Sequence, residues 1–357
     1  MSPRVRVFVV VCVAAAAAAS AVVGVALVQR DDGADRETRP SGRPPVALEL
    51  GVRADPEARA LRRAARLYAS GRHDEAARIF GRYDSVDAQV AAAMARWPNG
   101  TLAALARLER EYPRSALVRL HLGLARFWAG ERTAAAAAWR AARRVEPDTP
   151  SAVRADDLLH PRSPRGRPEF VTSFRAPRAL QGLRPDRQLA ALARRARNGG
   201  VHPKLLYGVA LQRLERPLSA RRQFDAAVAI APDDPEAATA AAVGRFDKAR
   251  PQAAFARLGP LTRRFPHAAT VRFHLGLLLL WIGDIDGARR QLRLARDVDP
   301  GAPLSREAAR VLRRLANIRV NQMGTRTLYR EDGPFGLWLT VLFVCESSRS
   351  TATTARG

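Results

Sequence analysis

The sequence is nearly without cysteine: Cys12 and Cys345 are the only two in 357 residues. One sits in a hydrophobic run and the other in a carboxyl-terminal tail, so neither a disulfide framework nor a cysteine metal site can be built. Lysine is almost as scarce, with Lys204 and Lys248 standing among 60 cationic residues. The usual catalytic signatures are missing too: no phosphate-cradling glycine loop, no nucleophile elbow, no paired histidines at helical spacing. The six histidines are scattered. Asp284, Asp286 and Gly287 hint at a calcium loop, but no acidic residue follows at the required distance. The expectation is a chain with no catalytic residues, no cofactor and no metal.

What is abundant is alanine and arginine. Apolar residues make up 47% of the chain and the formal net charge is +26. Alanine favours helices that pack closely. The arginine excess matches what GC-rich codons produce, and mutational bias is the preferred account of it; the rival is an anionic partner, which arginine forks suit. The length would hold two or three ordinary domains, unless a repeat array extends one core along the chain.

Such an array is present. Over 201–301 a unit of roughly 34 residues occurs three times, a period typical of helical-hairpin repeats. Gly208, Ala220, Phe224, Ala227 and Pro232 mark the first copy; Ala254, Leu258, Leu261 and Pro266 the second; Gly276, Ala288, Leu292, Ala295 and Pro300 the third. The same places recur earlier as Gly123, Gly130, Ala135, Trp139, Ala142 and Pro147. Small residues let two helices approach, the bulky one fills the space beside them, and proline stops the second helix. Degenerate hairpins precede these, from Pro56 and from Ser85. An internal echo, VRLHLGL at 118–124 and VRFHLGL at 271–277, keeps its distance to Trp128 and Trp281 and to Gly130 and Gly283. Two halves built alike, with an insertion between them, account for it. His121 and His274 occupy matching places in the echo and read as packing positions.

This pattern resembles the tetratricopeptide repeat (TPR) family over about 57–160 and 188–316. The resemblance implies an all-α, TPR-like helical-hairpin solenoid, a right-handed superhelix in two halves, whose first helices line a concave groove that binds proteins or peptides and performs no chemistry. Carried over position by position, the groove residues are Leu117, Leu120, Leu124, Phe127 and Trp128 in the first half. His202, Leu205, Val209, Gln212 and Arg213 follow, then Glu236, Thr239, Val243, Phe246 and Asp247. The last copy contributes Thr270, Phe273, Leu277, Leu280 and Trp281. Arginine or lysine at Arg119, Lys204 and Arg272, where the family favours an aromatic, departs from its pattern. The groove is apolar where family members that grip chaperone peptides carry lysine and asparagine, so helix-in-groove or apolar-peptide capture is expected.

The flanks divide the chain further. Residues 7–28 carry no charge, and these twenty-two largely apolar residues at about 1.5 Å each match a hydrocarbon core of roughly 30 Å. With Arg4 and Arg6 before it, a retained transmembrane anchor with a short cytoplasmic amino terminus is expected, placing the array outside the cell membrane; a cleaved signal is the alternative. Residues 29–55 read as a polar linker, 56–160 as the first array, and 161–187 as a Pro/Arg-rich crossover. The second array with its capping helix covers 188–318, and 319–357 is an irregular tail. Phe170 and Phe174 in the crossover either cover an exposed array end, the preferred reading, or dock a partner. Protein partners therefore lead, at the cell membrane. An anionic polymer, a cell-wall polyanion or nucleic acid, is the alternative. Nucleic acid is disfavoured by the lack of any aromatic-interleaved basic patch. A third reading makes the array the regulatory part of an enzyme whose catalyst is another chain. The oligomeric state is open.

Overall fold

Alternation of capping residues with alanine-rich amphipathic runs produces fifteen α-helices among the described residues of this computed structural model, which are Pro40 and 42–316. In order they are α1 (Pro56–Ala69), α2 (His73–Phe80), α3 (Val86–Ala95), α4 (Thr101–Glu111), α5 (Ala116–Ala129), α6 (Arg132–Val145) and α7 (Pro150–Leu159). A short 3₁₀ turn at Arg178–Leu180 precedes α8 (Pro185–Asn198). Then come α9 (Val201–Arg213), α10 (Pro217–Ile230), α11 (Pro235–Val243), α12 (Gln252–Arg264), α13 (Ala269–Trp281), α14 (Ile285–Val298) and α15 (Pro303–Ala316). Six of them open on proline, whose missing N–H is not needed in the first turn. Asp55, Ser85, Ser115, Thr149, Asp234 and Asp284 each accept a backbone N–H with the side chain at their helix starts, worth about 1 kcal/mol apiece. Asp284 is thus a cap on α14, consistent with its place in an inter-helix turn.

Consecutive helices pair as antiparallel hairpins, and the first helix of each hairpin also packs on the first helix of the next. This second set of contacts runs α1–α3–α5–α7 and again α9–α11–α13–α15. The result is a TPR-like helical array in two similar halves, each of three hairpins and a closing single helix. Small–large pairing sets the spacing within hairpins: Gly123 lies against Trp139, Gly208 against Phe224, and Gly276 against Leu292. Gly130 and Gly283 end α5 and α13 with φ of 90° and 81°, a conformation glycine reaches without steric cost. The anchor expected over 1–28 and the tail over 319–357 lie outside the described residues. Among the described residues no helix is long and apolar enough to cross a membrane.

Two local expectations are corrected. Helix α11 was expected to continue through Phe246 and Asp247, yet it stops at Val243. Gly244 is pressed on Phe224, where a Cβ would come within 3.0 Å of the ring, and the Asp247 carboxylate accepts the Ala249 N–H at 3.0 Å to fix a turn instead. As a lone helix, α7 would turn Asp156 and Asp157 to solvent, yet Asp156 is only 3% exposed. The second half closes over that face. Arg143 lies 3.1 Å from Asp156, and Asp157 binds the ammonium of Lys248, whose side chain is fully buried. The same ammonium donates to the Pro164 carbonyl at 2.6 Å. Asp148, between α6 and α7, accepts the N–H groups of Leu218 and Ser219 at 2.7 and 3.0 Å and so caps α10 from the other half. The halves meet through ions and caps.

Gly276→Ala tests the close helix contact. In an open helix this change gains about 1 kcal/mol. Here the new methyl would sit 2.8 Å from Leu292 Cγ, so a loss of roughly 1–3 kcal/mol is expected, read as a lowered urea midpoint with unchanged m. A stabilised variant contradicts the contact.

Candidate functional site

The first-helix faces that the sequence assigns to a groove are not bare. Each half has a strap of non-helical chain laid across them. The first, within 43–53, includes residues read from the sequence as linker; the second, within 168–174, belongs to the crossover.

Burying a strap requires acceptors for its backbone N–H groups, because an unpaired buried donor costs roughly 1–3 kcal/mol. Both halves supply them with the same kinds of side chain at corresponding places. Ala47 N–H donates to His121 Nε2 at 3.0 Å, and Val171 N–H donates to His274 Nε2 at 2.9 Å. Two residues further on, Glu49 N–H donates to the Asp87 carboxylate at 2.6 Å, and Ser173 N–H to Glu236 at 2.8 Å. Amides two apart face the same way in an extended chain, so one groove wall reads alternate residues. The histidines stand on α5 and α13, the carboxylates on the second residues of α3 and α11.

Further bonds set the direction. At one end the Arg43 guanidinium donates to the Ala95 carbonyl at 2.9 Å and the Tyr68 hydroxyl to Pro44 at 2.7 Å. At the other, the Glu49 carboxylate accepts the Ser151 N–H, in the first turn of α7, at 2.7 Å. The first strap thus runs antiparallel to α3, from its carboxyl end to its amino end. In the second half the Gln212 amide exchanges two 3.1 Å bonds with the backbone of Phe170, and Phe174 lies 4.2 Å from the His202 ring, at opposite ends of α9. The strap side chains complete the cores: Leu50 packs with Leu61 and Tyr68, while Phe170 is wholly buried, 5.6 Å from Phe224 and stacked on His274 at 4.9 Å.

The residues carried over from the family pattern distribute around these straps. Leu117, Leu120 and Leu124 are buried in the core that Val46 and Ala47 cover, with Phe127 and Trp128 half-buried beside it. Leu205, Val209 and Phe246 are buried in the core that holds Phe170, with Trp281 at its edge, 5.7 Å from Phe246. Phe273 and Leu280 belong to the core against which Leu277 and Val171 pack. Gln212 and His202 touch the second strap, and Arg213 is exposed. Sequence reasoning passed over the two histidines and the Asp87–Glu236 pair as strap acceptors. The 118–124 and 271–277 echo was the signal: a polar residue kept at matching places on two apolar helices requires a matching partner.

Electrostatics fixes the rings as neutral. His121 Nδ1 lies 2.8 Å from the Leu117 carbonyl and His274 Nδ1 lies 2.7 Å from that of Thr270. A carbonyl only accepts, so Nδ1 carries the proton and Nε2 is free to accept from the strap. Burial pushes both rings down from 6.5 to about 4. Burial also holds the Glu49, Asp87 and Glu236 carboxyls above their usual range. Among the described residues no cluster of histidine, cysteine or carboxylate side chains could hold a metal ion.

Neither a family model nor a curated relative matches the chain. Among solved structures it is similar to YrrB, described as a TPR protein with an unusual peptide-binding site, at 16% identity over 58% of this chain and 99% of that one, with a TM-score of 0.29. The TPR2AB domain of yeast Sti1 in a pHSP90 complex matches at 12% identity over 73% and 98%, with a TM-score of 0.27. The carboxyl-terminal part of a TPR repeat protein of Cytophaga hutchinsonii matches at 12% identity over 70% and 98%, with a TM-score of 0.26. Overlap at this level says nothing of ligand or partner. The TPR-like architecture rests on the hairpins, the first-helix layer and the small–large pairs.

The histidines give a pH dependence of definite sign. Their folded pKa lies below the unfolded value, so the stability they contribute is present above 6.5 and is lost as pH falls toward about 4. At about 1.4 kcal/mol per pH unit the loss is on the order of 3 kcal/mol per ring. The raised carboxyls act with the opposite sign, gaining stability on protonation. Comparing the unaltered chain with His121→Phe/His274→Phe cancels them. The stability advantage of the unaltered chain should be largest near neutral pH and shrink between 6.5 and 4. A pH-independent difference contradicts the assignment.

Proposed function

We propose that the chain is a non-catalytic scaffold that holds polypeptide partners against the first-helix faces of its two arrays, at the outer side of a cell membrane. The observation that supports the binding mode is the duplicated acceptor set. Histidine and carboxylate stand at corresponding places in both halves and bind straps of different sequence through the backbone, so the faces are suited to extended chain and not to one side-chain pattern alone. The membrane placement rests on the uncharged run at 7–28 behind Arg4 and Arg6.

One in-cell experiment addresses both parts. A photoreactive benzoylphenylalanine replaces Trp128 or Trp281, and crosslinking is started in intact cells whose envelope admits a membrane-impermeant quencher. Discrete protein adducts that the quencher suppresses are expected at both positions. Adducts that resist the quencher place the array inside. No protein adduct at either position sinks the scaffold reading.

A further inference from the structure

The two straps align, although the chain between them is unrelated. Val46-Ala47-Leu48-Glu49-Leu50 and Phe170-Val171-Thr172-Ser173-Phe174 put the same roles in the same order. The second residue of each gives its N–H to a buried histidine, and the fourth gives its N–H to a carboxylate. The first residue is an apolar anchor, Val46 or Phe170, packed in the core of its half. The fifth is another, and it rests on the first helix of the half: Leu50 on the α1 cluster and Phe174 on His202 of α9. The third position changes in kind, leucine in one strap and threonine in the other.

We infer that the first groove recognises an extended segment of the form apolar–apolar–any–(Glu or Ser)–apolar, and that residues 46–50 occupy it as an intramolecular stand-in which a partner segment of this form replaces. The inference rests on the scaffold reading and narrows its partner. Two straps with no identical residue in the five places satisfy one set of acceptors, which is the behaviour of a site that selects a backbone path and three apolar contacts. A segment from another chain that offers the same N–H spacing and anchors meets the same walls.

The first strap lies apart from the ionic junction between the halves, so it is the more readily exchanged of the two. Besides the Tyr68–Pro44 and Glu49–Ser151 bonds, it is held on the solvent side by arginine, Arg62 donating to the carbonyls of Leu50 and Gly51 at 3.5 and 2.9 Å. The second is tied into the ionic junction just before it, where Lys248 holds Pro164 and the Asp157 carboxylate accepts the Gly166 N–H at 3.0 Å. Exposed arginine bonds to carbonyls are weak, because water competes for both groups. A buried pair costs far more to break.

The test uses the full chain in detergent and a fluorescent synthetic peptide of residues 43–54 as the probe. Leu50→Asp weakens the resident strap without changing any residue of a helix. The peptide should bind this variant at least tenfold more tightly than it binds the unaltered chain. Methylating the peptide nitrogens that correspond to Ala47 and Glu49 should remove at least tenfold of that affinity. Should Leu50→Asp fail to fold, the unaltered chain serves: excess unlabelled peptide should accelerate amide exchange over 46–50 at least tenfold, with α5 and α13 unchanged. Equal binding to both chains, indifference to N-methylation, or unaltered exchange overturns the inference. A concentration-dependent dimer of Leu50→Asp that ignores the peptide also overturns it, and assigns the groove to strap exchange between copies. Protein adducts at Trp128 beside a negative peptide result would leave the scaffold reading standing and remove this inference alone.

Discussion

The constraint on which the structure depends is that backbone N–H groups cannot be buried unpaired. Stacked first helices satisfy their own amides and present an apolar face. Covering that face with non-helical chain removes apolar surface from water but brings in donors that need acceptors. His121, His274, Asp87 and Glu236 are those acceptors. A neutral imidazole suits the role because one nitrogen can be anchored to its own helix while the other remains an acceptor. Burial then keeps the ring neutral, and the ring's neutrality keeps the strap. Each condition supports the other.

Duplication shows which features the arrangement needs. The halves share three hairpins, a closing helix, a glycine opposite a bulky residue and an acceptor pair. They differ in strap sequence, in the extra helix α8 before the second half, and in the early end of α11. What differs is accommodated by turns and by the strap's third residue. The junction uses another principle. Where one array would leave an apolar end open, α7 offers Asp156 and Asp157 and the second half answers with Lys248. A buried lysine against aspartate, with the Trp281 ring 5.9 Å from the ammonium, sets how the halves meet more sharply than an apolar contact would, at a desolvation cost.

The helices were legible from the sequence because their signals are local. Prolines at starts, capping side chains, glycines at ends and the small–large spacing all act within one or two turns. The straps were not. PVALELG (45–51) has neither helical period nor a charge pattern, and beside a proline-rich linker it reads as more linker; its order comes entirely from helices up to about a hundred residues away. The burial of Asp156 and the pairing of Asp157 were hidden for the same reason, since a lone helix shows no neighbour on its polar side. Phe246 was assigned to a helix by position in the repeat, and the turn at 244–251 escaped because Gly244 is dictated by Phe224, twenty residues earlier. The histidine echo was visible; what it lacked was a partner, which only the fold supplies.

The most direct test of the account is the protonation of the two rings at neutral pH, read by ¹⁵N NMR of histidine-labelled protein. The account predicts that His121 and His274 are both neutral with the proton on Nδ1, and that each Nε2 shows the shift of a hydrogen-bond acceptor. A ring with its proton on Nε2, or a charged ring, would have no lone pair for the strap amide and would contradict the arrangement.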